Sequence, residues 1–251
     1  MLPEKRRADI VEDLNSSGSI TVSKLSDKFN VTEETIRKDL EKLDNQGLIK
    51  RIHGGAVPVK SNFNELSFNI RKEKNIKEKN KIAEKAVELI EENSILFLDA
   101  STTCLFLAKK ISSIKGLTVI TNSIRIMFEL SKNNNVSVIS TGGYLRSKSL
   151  SLVGSLANET VKKYNVNYFF ASCSGLSIKA GATETNEFET EVKISMVEQS
   201  EKTIILADHS KIDKSSLTTF AKIDQIDMII TDDILENKMK NILQEMNIKI
   251  K

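Results

Sequence analysis

Residues 32–56 of the chain read TEETIRKDLEKLDNQGLIKRIHGGA. The hydroxyl of Thr32 is suited to cap the start of a helix, because it can accept a hydrogen bond from an otherwise unpaired amide. The apolar positions that follow repeat at the spacing of one buried helical face, namely Ile36, Leu40 and Leu43. Gly47 ends this helix, residues 48–53 alternate like a strand, and Gly54-Gly55 forms a turn. The stretch therefore predicts a capped helix followed by a strand and a tight turn.

Two further helices are predicted upstream of this stretch, at about residues 5–15 and 22–29. A short extended piece at 19–21 separates them, and Asn30-Val31 makes a tight turn before the capped helix. Two short helices joined by such a turn are typical of a helix-turn-helix, and the alternating strand with its glycine turn is interpreted as a wing. We therefore expect a winged helix-turn-helix at residues 1–57.

The exposed side of the third helix carries hydrogen-bonding and basic side chains near its N-terminal end, the part that reaches base edges in a major groove. Basic residues of the wing are expected to lie near backbone phosphates. The candidate DNA-binding residues are Thr32, Thr35, Arg37, Lys38, Lys50, Arg51, His53 and Gly54. The alternative is that these are solvated charges on an ordinary three-helix domain. Charge does not decide between the two, since residues 1–60 hold eleven basic and ten acidic side chains.

Downstream, residues 58–70 show no periodicity and are interpreted as a linker, and residues 71–251 as a second domain. Apolar runs bounded by turn signals alternate there with helical segments, which predicts an α/β domain with a mostly parallel sheet. The predicted strands are Ile95–Leu98, Leu117–Ile120, Val136–Ile139, Tyr168–Ala171, Thr203–Ala207 and Met228–Ile230.

Small or polar residues follow most of these runs, and ligands of open α/β sheets bind at the carboxyl ends of strands. The candidate effector-binding residues are Asp99, Ser101, Thr102, Thr103, Thr121, Asn122, Gly142, Gly143, Gly175, Lys193, Asp208 and Lys211. Hydroxyls and amides at a helix start in the loop 99–103 suit a phosphate, whereas simple helix capping is the alternative. Asp99 is expected to bind sugar hydroxyls or order the loop. Lys193 and Lys211 are expected to neutralise the phosphate or to be surface lysines.

Composition excludes several classes of protein. Hydrophobic residues make up 39% and charged residues 28% of 251 residues, and no apolar stretch approaches the ~20 residues of a membrane span. The N-terminus lacks an apolar signal region, so we expect a cytoplasmic protein. Two cysteines and two histidines, without ligand spacing, indicate no disulfide framework and no metal. With no GxGxxG or P-loop motif, we expect no cofactor.

The segment from Glu4 to Val57 closely resembles the DNA-binding signature of the DeoR family of bacterial regulators, above all in its ending Arg-Ile-His-Gly-Gly-Ala. Lys38 departs from the arginine that the family more often has. The resemblance continues through the loop 99–103 and the motif Ala-Asp-His-Ser-Lys at 207–211. It departs again at 170–175, where Ser-Cys replaces the Gly-Ala pair of many members, so the identity of the effector stays open.

The resemblance implies a second domain similar in fold to ribose-phosphate isomerase, glucosamine-phosphate deaminase and CoA transferases, and a sugar-phosphate effector. The expected function is that of a repressor of a carbohydrate-metabolism operon, a homodimer or homotetramer whose affinity for double-stranded operator DNA falls when the effector binds. The alternative is a sugar-phosphate isomerase or deaminase with acid–base residues among Glu184, Glu187, Glu189 and Lys193. We expect a sensor rather than an enzyme, because control of DNA binding needs release and not turnover. A DNA-binding protein without an effector would leave the polar strand ends unexplained.

Overall fold

The structure, a computed structural model, describes residues 2–58, 66–232, 243, 245 and 248–251. The chain divides into two compact units, Met1–Lys74 and Asn75–Lys251. Within the described residues, no helix has the length and apolar character that crossing a membrane requires.

The first unit is a winged helix-turn-helix, as predicted. Its helices are α1 (Pro3–Ser17), α2 (Val22–Phe29), α3 (Glu33–Asn45) and α4 (Phe68–Glu73). Its strands are β1 (Ile20–Thr21), β2 (Ile49–Ile52) and β3 (Gly55–Pro58), which pair antiparallel in the order β1-β3-β2. The core of the unit is built from apolar side chains of α1, α2 and α3, joined by residues of the sheet and of α4.

Local sequence chemistry explains where these helices begin and end. The hydroxyl of Thr21 accepts a bond from the Lys24 amide at the start of α2. Asn30 adopts a left-handed conformation (φ 51°) and ends that helix. Asparagine tolerates this conformation better than most residues, so a turn of two residues suffices before Thr32 caps α3.

Helix α4 shifts the predicted boundary between the two units. The sequence predicts a linker over 58–70, of which residues 59–65 lie outside the described residues. Ile70 is buried in the core of the first unit, and α4 packs against α1. The first unit therefore extends to Lys74 rather than ending at residue 57, because a short apolar segment beyond the wing completes its core.

The second unit is α/β, as predicted. Its helices are α5 (Ile76–Val87), α6 (Thr102–Ile111), α7 (Ile124–Leu130), α8 (Ser155–Val161) and α9 (Glu187–Glu198). Its strands are β4 (Ile95–Leu98), β5 (Leu117–Thr121), β6 (Val136–Ser140), β7 (Tyr144–Arg146), β8 (Ser151–Val153), β9 (Val166–Ala171), β10 (Gly175–Ser177), β11 (Gly181–Glu184), β12 (Ser200–Leu206), β13 (Thr218–Ala221), β14 (Met228–Ile230) and β15 (Lys249–Ile250). Short 3₁₀ turns follow at His209–Lys211 and Ile223–Gln225.

Seven strands form one sheet in the order β15-β14-β12-β9-β4-β5-β6. Every described pairing in it is parallel. The central strands are largely buried on both faces, whereas the edge strands β6 and β15 are partly exposed, and this burial is why the predicted runs are nearly continuous in apolar residues. All six predicted strands lie in this sheet, so the prediction of a parallel α/β domain is confirmed.

Two smaller sheets were not predicted. Strands β7 and β8 form an antiparallel hairpin, and β10, β11 and β13 form a three-stranded antiparallel sheet. Gly143 has φ 111°, and a Cβ on it would lie 2.5 Å from the carbonyl oxygen of Val153. Glycine is therefore required where the hairpin β7–β8 folds back over the end of β6.

Candidate DNA-binding surface and effector site

The N-terminal end of α3 presents two threonine hydroxyls to solvent. The Thr32 hydroxyl accepts a bond from the Thr35 amide at 3.3 Å, and the two hydroxyl oxygens lie 2.9 Å apart. Arg37 and Lys38 are exposed on the same helix. They pair with Glu33 at 2.9 Å and with Glu34 at 3.8 Å. Exposed pairs of this kind contribute about 0–1 kcal/mol, so phosphates can replace the glutamates at little cost.

The wing is fixed to the start of α2. The Val22 amide donates to the carbonyl oxygen of Gly54 at 2.9 Å, and a Cβ on Gly55 would lie 2.1 Å from the Ile20 carbonyl oxygen. The side chains predicted to meet phosphates are exposed here, and they are Lys50, Arg51 and His53. The candidate DNA-binding residues thus all lie in the first unit, around the start of α3 and on the wing, and the wing packs closely against β1 at Gly55.

Sequence reasoning missed the role of Asp39. This buried carboxylate pairs with Arg6 at 2.5 Å and with Arg7 at 3.0 Å, and so ties α3 to α1. Asp39 lies three residues after Ile36, on the buried face of α3, and this position was the signal that could have revealed it. These ion pairs fix the position of α3 relative to α1.

The order of the parallel strands identifies where a ligand site is expected in the second unit. From β4 the chain proceeds outward to β5 and β6, whereas from β9 it proceeds in the other direction to β12 and β14. Strands β4 and β9 are neighbours, so the connections diverge between them. In open parallel sheets this switch point opens a crevice at the carboxyl ends of the strands.

The loop 99–103 lies at this switch point. The Asp99 carboxylate accepts bonds from the amides of Ser101 at 3.0 Å and Ser172 at 3.1 Å. The Ser101 hydroxyl caps α6 by accepting from the Cys104 amide at 3.1 Å. Among the described residues, the amides of Thr102 and Thr103 and the Thr102 hydroxyl have no hydrogen-bond partner, although both threonines are buried. The start of α6 therefore offers donors and a partial positive charge.

Lys193 is buried, which excludes the surface alternative. Its ammonium donates to Asp99 at 2.7 Å, to Glu184 at 2.5 Å and to the Ser172 carbonyl oxygen at 2.7 Å. Burial lowers the pKa of Lys193, but Asp99 and Glu184 outweigh burial and raise it above the usual range. An ammonium has three donors, so these acceptors use all of them. Lys193, on α9, holds together the ends of β4, β9 and β11.

Four predicted residues lie at the ends of β5 and β6. The Thr121 hydroxyl donates to the Leu98 carbonyl oxygen at 2.6 Å and orders neighbouring strand ends. The Asn122 amide group donates to the Leu152 carbonyl oxygen, whereas its buried Oδ1 has no partner among the described residues. Gly142 and Gly143 form the turn that follows β6. Gly175 begins β10, where its carbonyl oxygen accepts from the Thr183 hydroxyl.

The segment 208–211 follows β12, next to the switch point. Asp208 is buried and caps the 3₁₀ turn by accepting from the Ser210 amide. Lys211 is half-buried, and its ammonium has no hydrogen bond or ion pair within the described part of the chain. Burial and the Glu184 charge raise the pKa of the nearby Cys173 thiol to about 12, against the opposing charges of Lys211 and Lys193. That thiol stays protonated.

Two ion pairs at this edge were not predicted, one of them buried and the other formed by an exposed histidine. Glu189 accepts from Arg146 at 2.7 Å and from the Ser151 hydroxyl. Burial raises the pKa of Glu189, but hydrogen bonds from Ser149 and Ser151 and the basic groups outweigh it and lower the pKa overall. Asp232 pairs with His209, with 2.6 Å between the carboxylate and Nδ1. Asp232 follows β14 as the predicted residues follow their strands, so position was a usable signal for it. Arg146 and Glu189 come from distant elements and carry no such signal.

Within the described residues no cluster of three His, Cys, Asp or Glu side chains is arranged to hold a metal ion. Both cysteines are buried and free.

A winged helix-turn-helix followed by a parallel α/β unit with a polar switch point defines a DNA-binding transcription regulator with its own sensor domain. Residues 6–62 match a DeoR-like helix-turn-helix domain, and residues 74–233 match the DeoR C-terminal sensor domain. The chain belongs to the DeoR family.

Relatives match this chain over nearly their full length. An uncharacterized HTH-type transcriptional regulator of Bacillus subtilis, YulB, is 42% identical over 100% of this chain and 96% of its own. An L-fucose operon activator of Haemophilus influenzae is 35% identical over 95% of this chain and 96% of its own. Ribose 5-phosphate isomerase A of Methanocaldococcus jannaschii aligns with a TM-score of 0.40 and 14% identity over 53% of each chain.

Proposed function

We propose that this regulator represses a carbohydrate-metabolism operon and that a phosphorylated sugar, bound at the switch point of the sheet, lowers its operator affinity. The observation that carries the proposal is the start of α6, where the amides of the buried residues Thr102 and Thr103 and the Thr102 hydroxyl have no partner within the described residues. A phosphate would accept from these donors and interact favourably with the helix dipole. A relative named as a sugar operon activator supports the link to sugar metabolism.

The charges around the loop are compatible with an anion. Asp99 lies close to the proposed phosphate, but Lys193 neutralises it and three donors occupy its two oxygens. Lys193 thus supports the loop, while Lys211, which has no ion pair within the described residues, is a cation still available for a phosphate. The buried Oδ1 of Asn122 is an acceptor suited to a sugar hydroxyl, because leaving it unpaired costs about 1–3 kcal/mol.

We further propose that the protein senses its ligand without turnover and works as a homodimer or homotetramer on paired operator half-sites. Two of the three candidate bases of an isomerase are engaged, Glu184 with Lys193 and Glu189 with Arg146, whereas Glu187 is exposed on α9. An assay of each candidate sugar phosphate for isomerisation and deamination tests the absence of turnover. Sedimentation of the protein on DNA with one and with two half-sites tests the oligomer.

Thr102→Glu tests the phosphate site. The new carboxylate takes the place of the ligand's charge, and the loss of hydrogen bonds to a charged group, each about 1.5–3 kcal/mol, predicts at least about tenfold weaker effector binding. Operator DNA is first selected from a random library, and its binding is then titrated with a panel of pentose and hexose phosphates. The variant is expected to bind the operator and to lose the response.

Thr219→Glu is the matched control, because it adds the same charge at an exposed threonine of β13. Equal release of Thr102→Glu and wild type at the same ligand concentration would show that the loop only caps α6. Tighter operator binding in the presence of a sugar phosphate would contradict the proposed loss of affinity. It would mean that the protein needs the ligand to bind its operator well.

A further inference from the structure

Asn75 is the residue at which the second unit begins, directly after Lys74 of the first. It adopts a left-handed conformation (φ 48°, ψ 44°) at the position that precedes α5. Asparagine at such a position usually caps the helix with its side-chain oxygen. Here the side chain makes no capping bond with the described backbone. Its amide group instead donates to Asp208 Oδ1 at 3.1 Å and lies 3.4 Å from the Ser210 hydroxyl.

The acceptor of this bond is already crowded. Asp208 Oδ1 also accepts from the amide of Ser210 at 2.9 Å and from its hydroxyl. A carboxylate oxygen has about two lone-pair sites, so three donors share one atom. A ligand donor, such as a sugar hydroxyl, that approached Asp208 would compete directly with Asn75. The contact between Asn75 and Asp208 is therefore easy to displace without unfolding the segment.

The contact joins two parts of the sequence with different tasks. Asp208 belongs to the segment 208–211 at the carboxyl end of β12, next to the switch point. Asn75 is where the chain enters this unit from the DNA-binding unit. We propose that Asn75 couples the switch point to the DNA-binding unit. It holds the start of α5 in the DNA-competent state until a ligand at the switch point replaces it as the donor to Asp208.

The identity of the ligand in this inference rests on the proposed function. The role of the contact between Asn75 and Asp208 in the ligand-free protein does not. A ligand shifts such an equilibrium only through a difference in affinity for the two states, and competition for Asp208 supplies that difference. The hydrogen bond between Asn75 and Asp208 is called the clamp. If the clamp favours the DNA-competent state, breaking it lowers operator affinity even when no sugar phosphate is present. A purely structural role predicts lower stability with operator affinity unchanged in the folded protein.

The test uses the full chain and the selected operator in the absence of any sugar. Asn75→Gly keeps the left-handed backbone without strain and removes the amide. We expect operator affinity to fall about tenfold, as for the loss of one hydrogen bond to a charged group. Asn80→Ala is the matched control, since Asn80 lies further along α5 and, among the residues that the structure describes, its side chain bonds only to the Ile76 carbonyl oxygen. Circular dichroism establishes that each variant is folded.

The exchanged pair makes the test specific. Asn75→Asp places two carboxylates together and is expected to weaken operator binding more than Asn75→Gly. Adding Asp208→Asn restores a donor and an acceptor in the opposite sense, and is expected to recover most of the lost affinity. Wild-type operator affinity in folded Asn75→Gly, or no recovery in the exchanged pair, overturns the proposal.

Titration of the wild type with glucose 6-phosphate, fructose 1-phosphate and ribose 5-phosphate separates the two claims. If Asn75→Gly weakens operator binding while no sugar phosphate affects the wild type, the clamp holds and the proposed ligand class fails. If a sugar phosphate releases wild type and Asn75→Gly from equal starting affinities, the clamp fails and the proposed function holds.

Discussion

At the scale of single residues, the switch point is dominated by one buried ammonium and two carboxylates. Lys193 lies 4.7 Å above the ring of Phe220 and pairs with Asp99 and Glu184. Removing buried charges from water costs several kcal/mol per ion, and good hydrogen bonds only offset this cost. The cluster therefore contributes geometry more than net stability, and it fails when one member is lost.

Lys193→Met is expected to destabilise the protein by about 3–5 kcal/mol, because two carboxylates then stay buried without their cation. Urea unfolding of the second unit measures the change. Lys163→Met, an exposed lysine of the same unit, is the control and is expected to cost under about 0.5 kcal/mol. Equal midpoints for the two variants would mean that the cluster contributes nothing to folding.

His209 is expected to titrate above an ordinary histidine, because its hydrogen bond to Asp232 raises its pKa. Its stabilising contribution is complete below an unfolded pKa of about 6.5 and is lost as pH rises through the folded value. For Asp232 burial raises the pKa, yet hydrogen bonds from His209 lower it overall, so its contribution is lost as pH falls through that value.

NMR of the imidazole signals measures this directly, since His53 is the only other histidine. In Asp232→Asn the pKa of His209 is expected to fall toward about 6.5. An unchanged pKa of His209 would show that the pair does not form in solution.

At the scale of elements, α3 has a buried face that is fixed by ion pairs and an exposed face whose side chains can change their partners. Asp39 fixes the helix through Arg6 and Arg7, whereas Arg37 pairs with the exposed Glu33. The difference is useful for reading DNA, because the helix position is set while its surface residues stay available.

Arg37→Ala is expected to weaken binding to all DNA sequences. If the side chain contacts one phosphate, the slope of the logarithm of the binding constant against the logarithm of the salt concentration becomes shallower by about one unit. Anisotropy titrations over a range of salt concentrations measure both quantities. Lys163→Ala, on the other unit, is expected to change neither. An unchanged slope for Arg37→Ala would remove this residue from the DNA contacts.

Elements set by local pattern were predictable, and those set by distant pairing were not. Helix α2 was predicted at its observed bounds, because Thr21 and Asn30 mark both ends. The strands of the parallel sheet were apparent as apolar runs. The hairpin β7–β8 has strands of three residues with polar positions, which are too short to show a period.

The same limit applies to the effector site. The loop 99–103 and the segment 208–211 follow predicted strands, so their shared edge was predictable. The three donors of the Lys193 ammonium are all used only because Glu184 and the Ser172 carbonyl oxygen, which come from different elements, also accept from it. Such contacts are decided by tertiary packing, and no sequence period reports them.

At the scale of the whole molecule, the boundary at Lys74 and Asn75 decides what each unit contains. Helix α4 packs on α1 and contributes Ile70 to the first core, although it lies beyond the wing in sequence. A domain of this size buries a small core and is only marginally stable, so one extra apolar side chain is a substantial share of its stability.

A fragment of residues 1–74 is therefore expected to be more stable than a fragment of residues 1–58. Burial of Ile70 is worth about 1.5–3 kcal/mol, which for a domain of this size corresponds to a melting temperature higher by about 5 °C or more. Thermal unfolding followed by circular dichroism compares the two fragments. Ile70→Ala in the longer fragment is the control and is expected to remove most of the difference, because it leaves the chain length unchanged and deletes the buried side chain. If the two fragments melt together, α4 is not part of the first unit in solution, and the boundary lies where the sequence alone places it, at the end of the wing.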